Sequence, residues 1–416
     1  MKKKICLLII VALLLVFSIF LLFNKIILKN NNENKSSKVG SYNIKLIKAT
    51  KDNKNYLVSP YSIEIALNML KEGADNNTQK ELEKLLPDRK INNVYVKDRI
   101  NVANSLFIRN TYKNKVKDSY KDKLVNDYDS EILYDNFKTP DVINNWVDNK
   151  TNGMINKVID EVPEDMVVGL ANAIAIDVDW ASEFECFNTT AEKFTKDDGN
   201  IIKVEMMHNS YENGAKYIKT KDATGIIIPY KSYDSKTGNV DYDDGTNLEF
   251  VGILPEKSVD SYIDSLTDAK LNELFKNAKS SSSKYEINLS LPKFKYEYEV
   301  KDFTKALNNL GIKDAFNPKK ADFTNMIDKK DMENNIYVGT AVHKTYIDLN
   351  EKGTKAAAVT FFGMKNFAAI AEEKESVDII FNKPFVYMIR DKETKEMLFF
   401  GAVFEPNKWT GSTCGN

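Results

Sequence analysis

The two histidines of the chain, His208 and His343, are the side chains best suited to act as a base near neutral pH. A Ser-His-Asp hydrolase would need one of them. However, the sequence contains no GxSxG nucleophile elbow, HExxH pair, phosphate-binding loop or dinucleotide fingerprint. His208 follows Met206 and Met207 in an apolar run, which is typical of a structural or surface position. These observations predict that the protein is not an enzyme and uses no cofactor.

Residue types and spacing also give little support for metal or nucleic-acid binding. Cys6, Cys186 and Cys414 are too few and too scattered for a zinc site or a disulfide framework, and Cys186 is expected to be a small buried apolar side chain. Asp241 and Asp243 precede a glycine as in a calcium loop, but the closing glutamate is missing. A net charge of −1 without a basic stripe argues against a general nucleic-acid binder. The sequence therefore predicts no metal and no nucleic-acid partner.

The most unusual stretch lies between the apolar runs 346–349 and 377–381. The intervening loop of about thirty residues is long for a compact domain, and structureless loops of that length are usually functional. Because side chains alternate faces along a strand, the segment 353–360 could enter an existing sheet and bury one set of its side chains. That set is uniformly small: Thr354, Ala356, Ala358 and Thr360.

This segment resembles the reactive-loop hinge of the serpins, a family of suicide inhibitors of proteases. The hinge pattern of that family is a glutamate, a glycine, a threonine or serine, and then small residues. The matching residues are Glu351, Gly353, Thr354, Ala356, Ala357, Ala358 and Thr360. Further motifs follow in family order over nearly the whole chain after residue 40, among them Leu291-Pro-Lys-Phe294 and Phe381-Asn-Lys-Pro-Phe385.

The resemblance implies an α+β serpin fold with about three β-sheets, eight to nine helices and an exposed reactive-centre loop at about 351–376. It also implies that a protease attacks the loop and forms an acyl-enzyme. The cleaved loop then inserts as a new central strand and carries the attached protease about 46 Å, for roughly fourteen residues of strand. Since the chemistry belongs to the protease, such an inhibitor needs no catalytic residue of its own.

The resemblance further assigns residues to the opening of the sheet. Ser59, Ser62, Asn172 and His343 match polar residues beneath the opening strands, where the histidine would hydrogen-bond to the asparagine. Trp180 matches the aromatic residue at the top, where insertion begins. The alternative within the same family is a non-inhibitory carrier, chaperone or binding protein. Bulky or charged residues on the inward face of the hinge are typical of such proteins, and the inward set here has none.

Counting from the hinge glutamate as in relatives, we expect the reactive bond at Phe367–Ala368. A large apolar residue at the cut suits a chymotrypsin-like serine protease. Cleavage at Ala368–Ala369 is the next alternative and would suit an elastase-like or subtilisin-like enzyme, whereas Lys365 would suit a trypsin-like one. The predicted partner is therefore a serine protease in a covalent complex, and the inhibitor itself is expected to be a monomer.

The N-terminus predicts attachment to a membrane. Three lysines, Lys2 to Lys4, precede the uncharged run 5–23, which spans a bilayer at about 1.5 Å per residue, and no small-residue cleavage site closes the run. The lysines should stay in the cytoplasm, so the folded domain would lie on the outer face of a bacterial cell membrane, or be secreted if the run is removed. The predicted segments are an anchor or uncleaved signal at 1–28, a polar tether at 29–41, a serpin domain at 42–408 and a C-terminal tail at 409–416.

Elsewhere, apolar periodicity places ordinary helices and strands. One helix is predicted to begin at Ser59 and Pro60, another to end before Pro87, and a third stripe over 141–159 is interrupted by Thr151-Asn-Gly153. Strands are expected at 171–178, 201–208, 225–230, 248–254 and 285–294. The polar run 231–247 is expected to be a long hairpin excursion. No Pro/Gly/Ser-rich linker divides the chain after residue 40, which predicts a single large core.

Overall fold

The computed structural model describes residues 38–243, 245–282, 285–339, 341–354 and 375–411. The second helix begins as the sequence predicts, because the Ser59 hydroxyl accepts a hydrogen bond from the Ser62 amide and Pro60 occupies the first turn. The described ranges contain eight α-helices: α1 (38–50), α2 (Pro60–Gly73), α3 (Asn76–Leu85), α4 (Asp118–Tyr128), α5 (Asp141–Lys150), α6 (Val259–Asp264), α7 (Asp268–Lys276) and α8 (Phe303–Asn309).

Eighteen strands occur in the same ranges. All five predicted strands are present, and the predicted run 285–294 divides at Lys293 into two strands. The strands are β1 (Tyr56–Val58), β2 (Ile100–Arg109), β3 (Ser130–Asp135), β4 (Val168–Ile176), β5 (Val178–Asp179), β6 (Thr190–Thr195), β7 (Ile201–Tyr211), β8 (Lys216–Lys219), β9 (Ala223–Pro229), β10 (Leu248–Pro255), β11 (Lys279–Ser280), β12 (Tyr285–Pro292), β13 (Phe294–Glu299), β14 (Lys344–Leu349), β15 (Gly353–Thr354), β16 (Glu375–Ile380), β17 (Phe385–Asp391) and β18 (Met397–Val403).

Hydrogen bonding groups the strands into three surfaces. A seven-stranded sheet has the order β1-β18-β17-β10-β9-β8-β11, and a four-stranded sheet has the order β16-β12-β7-β6. The third surface consists of two parts, β3-β2-β4 and β13-β14-β15-β5. These parts are joined through the chain, because β4 and β5 are consecutive pieces of one strand separated only by Asp177. The arrangement agrees with the predicted α+β class and its three sheets.

The third surface is open along its centre. Strand β4 pairs with β2, and β5 pairs with β15, whereas β14 pairs with β13 and β15. Within the described residues, β4 and β14 form no ladder with each other. The surface therefore has strands on both sides of a central space. Within the described residues, β15 occupies only the end of that space next to β5, which we call the upper end or top.

A main core fills the space around the seven-stranded sheet, and a smaller cluster lies under α5. In the smaller cluster the rings of Phe107 and Trp146 meet edge to face at 5.8 Å. Helix α5 ends at Lys150, because Asn152 and Gly153 adopt positive φ angles that stop the helix at the interruption noted in the sequence. The following segment is not helical, and its Met154 and Ile155 are buried in the same cluster.

Three expectations about the chain ends and cysteines need correction. Residues 38–41, predicted as the end of the tether, are helical, because α1 continues one turn before its buried Tyr42. The predicted tail begins within the domain, since the Trp409 amide donates to the Lys203 carbonyl at 3.0 Å. Cys186 is half-buried and disulfide-bonded rather than a buried free thiol. The chain's other cysteines, at 6 and 414, lie outside the described residues.

Candidate functional site

Two residues of the predicted hinge, Gly353 and Thr354, already occupy the sheet. Gly353 pairs with Asp179 of β5, and Thr354 pairs with Val178 of β5 on one edge and Leu349 of β14 on the other. A Cβ atom on Gly353 would lie 2.0 Å from the Val178 carbonyl oxygen, so only glycine fits this close approach. The hinge therefore enters the sheet at its open end, between β5 and β14.

Thr354 points into the molecule, as the alternation of small residues predicted. Its side chain is only 4% exposed, and its hydroxyl oxygen lies 2.6 Å from that of Tyr230, which is also buried. The Tyr230 ring stacks on Trp180 with ring centres 4.5 Å apart and an angle of 9° between the planes. Burial raises the pKa of the Tyr230 phenol, so the group stays protonated and available for the hydrogen bond.

Trp180 holds the chain just before the hinge. Its backbone amide donates to the Lys352 carbonyl at 2.7 Å, and its indole Nε1–H donates to the Asn350 carbonyl at 2.9 Å. The ring is almost fully buried against Tyr230 and Phe250. Trp180 thus fixes residues 350–352 at the end of the opening that β15 occupies.

The hinge glutamate is fixed by two neighbours outside the sheet. The Thr189 hydroxyl donates to Glu351 Oε1 at 2.8 Å, and Lys293 Nζ lies 3.3 Å from Glu351 Oε2. The Glu351 carbonyl accepts the Phe184 amide at 2.9 Å, so backbone and side chain are both held. These contacts fix the turn between β14 and β15. Lys293 is shared, because its Nζ also lies 3.6 Å from Glu205 Oε2.

A small cavity of about 10 Å³ lies directly below Thr354, in the space between β4 and β14. A volume of this size is roughly that of a single water molecule. Most of its lining is apolar. The lining side chains come from the open third surface, from the seven-stranded sheet and from the segment after α5. The lining residues are Met154, Ile176, Tyr346, Ile347, Asp348, Thr354, Ile389 and Phe399.

His343 lies further down the opening and joins β14 to the start of α2. Its Nε2 accepts a hydrogen bond from the Ser59 amide at 3.0 Å. This bond requires a neutral imidazole ring whose proton is on Nδ1. Burial lowers the pKa of His343 to about 3, which keeps the ring neutral at any physiological pH. His343 is thus a buried structural histidine and not a general base.

The other polar residues of the opening form a chain from α2 to α4. The Ser62 hydroxyl donates to Asn172 Oδ1, and Asn172 Nδ2 donates to Asn104 Oδ1 at 2.6 Å. Asn104 Nδ2 in turn donates to the Tyr128 carbonyl at 2.6 Å. The expectation of a bond between His343 and Asn172 is wrong: in the described residues Asn172 is bonded to Ser62 and Asn104, and His343 Nε2 accepts the Ser59 amide.

Comparison with known proteins decides the family. A family model described as serpin (serine protease inhibitor) matches residues 35–406.

The chain belongs to the serpin family.

Human neuroserpin is 29% identical over 402 residues, which cover 89% of this chain and 90% of that protein. A serpin-like protein of Methanosarcina acetivorans is 27% identical over 382 residues, covering 86% of this chain and 83% of the relative. The crystal structure of the thermophilic serpin tengpin in its native state has a TM-score of 0.74 and 32% identity, and covers 90% of this chain and 94% of tengpin. The latent state of tengpin gives a TM-score of 0.70, with 90% and 98% of the two chains covered.

Part of the predicted serpin site lies outside the described residues. This applies to the hinge residues Ala356, Ala357, Ala358 and Thr360 and to the reactive bond Phe367–Ala368. It applies equally to the predicted anchor, 1–28. Among the residues that the structure does describe, no helix combines the length and apolar character needed to cross a membrane, and no cluster of histidine, cysteine and acidic side chains could hold a metal ion.

His208, the second histidine, is remote from the opening of this serpin. It lies on β7, with Nε2 3.0 Å from the Thr190 hydroxyl and Nδ1 3.0 Å from the Ser290 hydroxyl. Partial burial lowers the pKa of His208. His208 is half-buried there, between side chains of the adjacent strands β6 and β12, and the sequence had predicted a structural or surface position for it.

Three residues that hold the hinge were not identified from the sequence: Thr189, Tyr230 and Lys293. Each contacts a hinge residue more than fifty positions away in the chain. Tyr230 ends a predicted strand, and Lys293 lies in the Leu291-Pro-Lys-Phe294 motif, but neither feature indicates a contact with the loop. Only the folded sheet brings them together.

Proposed function

We propose that this serpin inhibits an extracellular serine protease by trapping it as an acyl-enzyme while the cleaved loop inserts into the open sheet. The observation that carries the proposal is the position of Gly353 and Thr354, which pair with the strands on both sides of the opening. Ala356 and Ala358 follow at the same parity as Thr354. Small side chains suit the narrow space below Thr354, which holds a cavity of about 10 Å³.

The energetics favour insertion once the loop is cut. Each backbone hydrogen bond that an inserted strand gains contributes a net of about 0.5–1.5 kcal/mol, and the facing edges of β4 and β14 would provide partners on both sides. An intact loop is tethered at β16 and cannot travel the length of the opening. The uncut protein is then metastable, and cleavage releases the stored free energy.

The deciding experiment is cleavage of the loop by a nonspecific protease, followed by thermal unfolding of the cleaved chain. Insertion predicts a sharp rise in Tm together with an SDS-stable complex when a susceptible serine protease is the cutting enzyme. A carrier or binding protein would be cut without either change. A similar fold does not decide between these functions, since the thyroxine-binding globulin complex with thyroxine has a TM-score of 0.71 at only 22% identity.

For the reactive bond we propose Phe367–Ala368, with Ala368–Ala369 as the next alternative. A chymotrypsin-like protease fits the first bond, and an elastase-like or subtilisin-like protease fits the second. Mass spectrometry of the C-terminal peptide released from the complex identifies the bond. A fragment beginning at Ala368 supports the proposal, whereas one beginning at Asn366 would move the bond to Lys365 and the target to a trypsin-like enzyme.

We further propose that the uncharged run 5–23 anchors the protein and that the domain acts outside the cell. Helix α1 is described from residue 38, so the test is removal of 1–37 rather than of the whole predicted tether. The shortened chain should leave the membrane fraction and inhibit as well as the full chain. A shortened chain that stays with the membrane contradicts the anchor, and a full chain found only in the cytoplasm contradicts the extracellular target.

A further inference from the structure

The described residues of the predicted excursion between β9 and β10, 231–243 and 245–247, are tied by hydrogen bonds to one another and to the open end of the sheet. Within it, the Asp234 amide donates to the Asn239 carbonyl at 2.9 Å, and the Thr246 amide donates to the Tyr233 carbonyl at 3.0 Å. It is tied to the chain before β2 by a bond from the Lys97 amide to the Ser235 carbonyl at 3.0 Å. The first two bonds join described parts of the excursion to each other, and the third attaches it to the chain on the side of β5.

The backbone amide, the backbone carbonyl and one carboxylate oxygen of Asp179, in β5, are all bonded to this excursion. The Lys231 amide donates to the Asp179 carbonyl at 2.8 Å, and the Asp179 amide donates to the Tyr233 hydroxyl oxygen at 3.0 Å. The same hydroxyl donates to Asp179 Oδ2 at 3.1 Å. Tyr233 is fully buried, and burial raises the pKa of its phenol, so it remains a hydrogen-bond donor.

Two cations complete the arrangement. Arg99 Nη1 lies 3.8 Å from Asp179 Oδ2, and the guanidinium lies over the Tyr233 ring at 4.8 Å from its centre. Lys231 Nζ lies 3.6 Å from Asp179 Oδ2 and 2.6 Å from Glu183 Oε1. We refer to Arg99, Lys231 and Tyr233 around Asp179 as the Asp179 clamp.

The clamp acts on the strand that pairs with the hinge. Strand β2 begins at Ile100, opposite Ile176, so it does not extend along β5. Lys231 and Tyr233 take the place of a neighbouring strand on that edge of β5, and the hinge lies on the other edge, where Gly353 pairs with Asp179 itself. At this level β5 and β14 are separated by β15, whereas below it the two sides of the opening are not paired.

We propose that the Asp179 clamp holds β5 one strand-width from β14 and so keeps the entry site of the reactive loop open. The two residues of β5 continue β4 beyond the end of its ladder with β2, so this part of the strand has no neighbouring strand on its outer edge and depends on the clamp for partners there. Without the clamp, β5 can shift towards β14, and Gly353 and Thr354 lose their pairing. In this serpin the 231–247 excursion is then a positioning element for loop insertion; that consequence rests on the proposed inhibitory function.

Hydrogen–deuterium exchange of the full chain, purified in mild detergent, tests the inference. In Tyr233→Phe the amides of 350–354 should exchange about tenfold faster than in the wild type, because two of the bonds to Asp179 are lost. Tyr242→Phe is the matched control, since it makes the same change in the same excursion at a side chain that is 70% exposed. Asp179→Ala, which removes only the carboxylate, is a second variant and should give a smaller acceleration.

Unchanged exchange at 350–354 in both Tyr233→Phe and Asp179→Ala would overturn the inference, as would an equal increase in Tyr242→Phe. A second readout keeps it separate from the proposed function. If wild-type chain forms no covalent complex with any protease, the inhibitory function fails, but the exchange data still decide whether the clamp holds the hinge. If the wild type inhibits, the clamp variants should need more inhibitor molecules per protease inactivated than Tyr242→Phe does.

Discussion

The hydroxyl oxygens of Thr354 and Tyr230 lie 2.6 Å apart in a buried position between the two sides of the open sheet. The bond joins the first inward residue of the reactive loop to the end of the strand that leads into the 231–247 excursion. Because Tyr230 also stacks on Trp180, the hinge and the top of the opening form one packed unit. Gly353 and Thr354 therefore already lie paired between β5 and β14.

A double-mutant cycle with Thr354→Val and Tyr230→Phe should measure this bond. Each single variant leaves one buried hydroxyl without its partner and should lower the free energy of unfolding by about 1–3 kcal/mol. The double variant should lose less than the sum of the two, with a coupling of about 0.5–1.5 kcal/mol. Urea denaturation of the four proteins supplies the values. Strict additivity would contradict the contact.

Under the proposed inhibitory function, Thr354→Arg should be cleaved as a substrate instead of trapping the protease. The position is 4% exposed and enclosed by β5, β14 and Tyr230, so a guanidinium there would be a buried, unpaired charge that costs several kcal/mol. Slower insertion then allows the acyl-enzyme to be hydrolysed. Gel electrophoresis in SDS should show a cleaved loop and no covalent complex. Glu375→Arg is the control, because it places the same side chain at the exposed far end of the loop and should form complex normally.

Glu351→Lys should weaken the hinge. The carboxylate accepts from Thr189 and lies 3.3 Å from Lys293, and the variant would place two ammonium groups together. Replacing an attractive contact by a repulsive one in this largely buried setting should lower Tm by several degrees. Glu351→Gln, which keeps an acceptor for Thr189 and carries no charge, should give a smaller decrease. Equal Tm values for the two variants would show that the Lys293 ion pair has no role.

His343 should make stability fall on acidification. Its folded pKa of about 3 lies below the ordinary histidine value, so between about pH 6.5 and 3 the unfolded chain takes up a proton that the folded protein does not. The contribution is present above about pH 6.5 and decreases by about 1.4 kcal/mol per pH unit below it. In His343→Gln this term disappears. The difference in unfolding free energy between wild type and variant should therefore shrink by about 2 kcal/mol from pH 7.5 to 5.0; parallel profiles would contradict it.

The sequence predicted those parts of the site that depend on local pattern. The alternation of small residues from Thr354 onwards follows from strand geometry, and the start of α2 follows from the capping chemistry of Ser59 and Pro60. The identity of the hydrogen-bond partners did not follow. His343 bonds to Ser59 instead of Asn172, because the choice depends on how α2 is placed against β14 to within an ångström or two.

The Asp179 clamp had no sequence signal. Lys231 and Tyr233 belong to a polar run without periodicity, and Asp179 and Arg99 lie more than fifty and one hundred positions before it. Their contacts arise because β2 is too short to accompany β5, a fact that depends on where two distant strands end. Long-range polar clusters of this kind are specified by the tertiary structure and leave no periodicity in the chain.

Strand β18 has a consequence for the order of synthesis. All seven of its residues are buried, and it lies between β1, near the beginning of the domain, and β17. Because Leu57 pairs with Gly401, β1 and the apolar side of α2 cannot be covered until nearly the last residues of the domain have been synthesised. At about 5–20 residues per second, this delay is roughly twenty to seventy seconds. During that time the growing chain exposes apolar surface that is buried in the folded protein. A chain that ends before β18 lacks the strand that covers this surface.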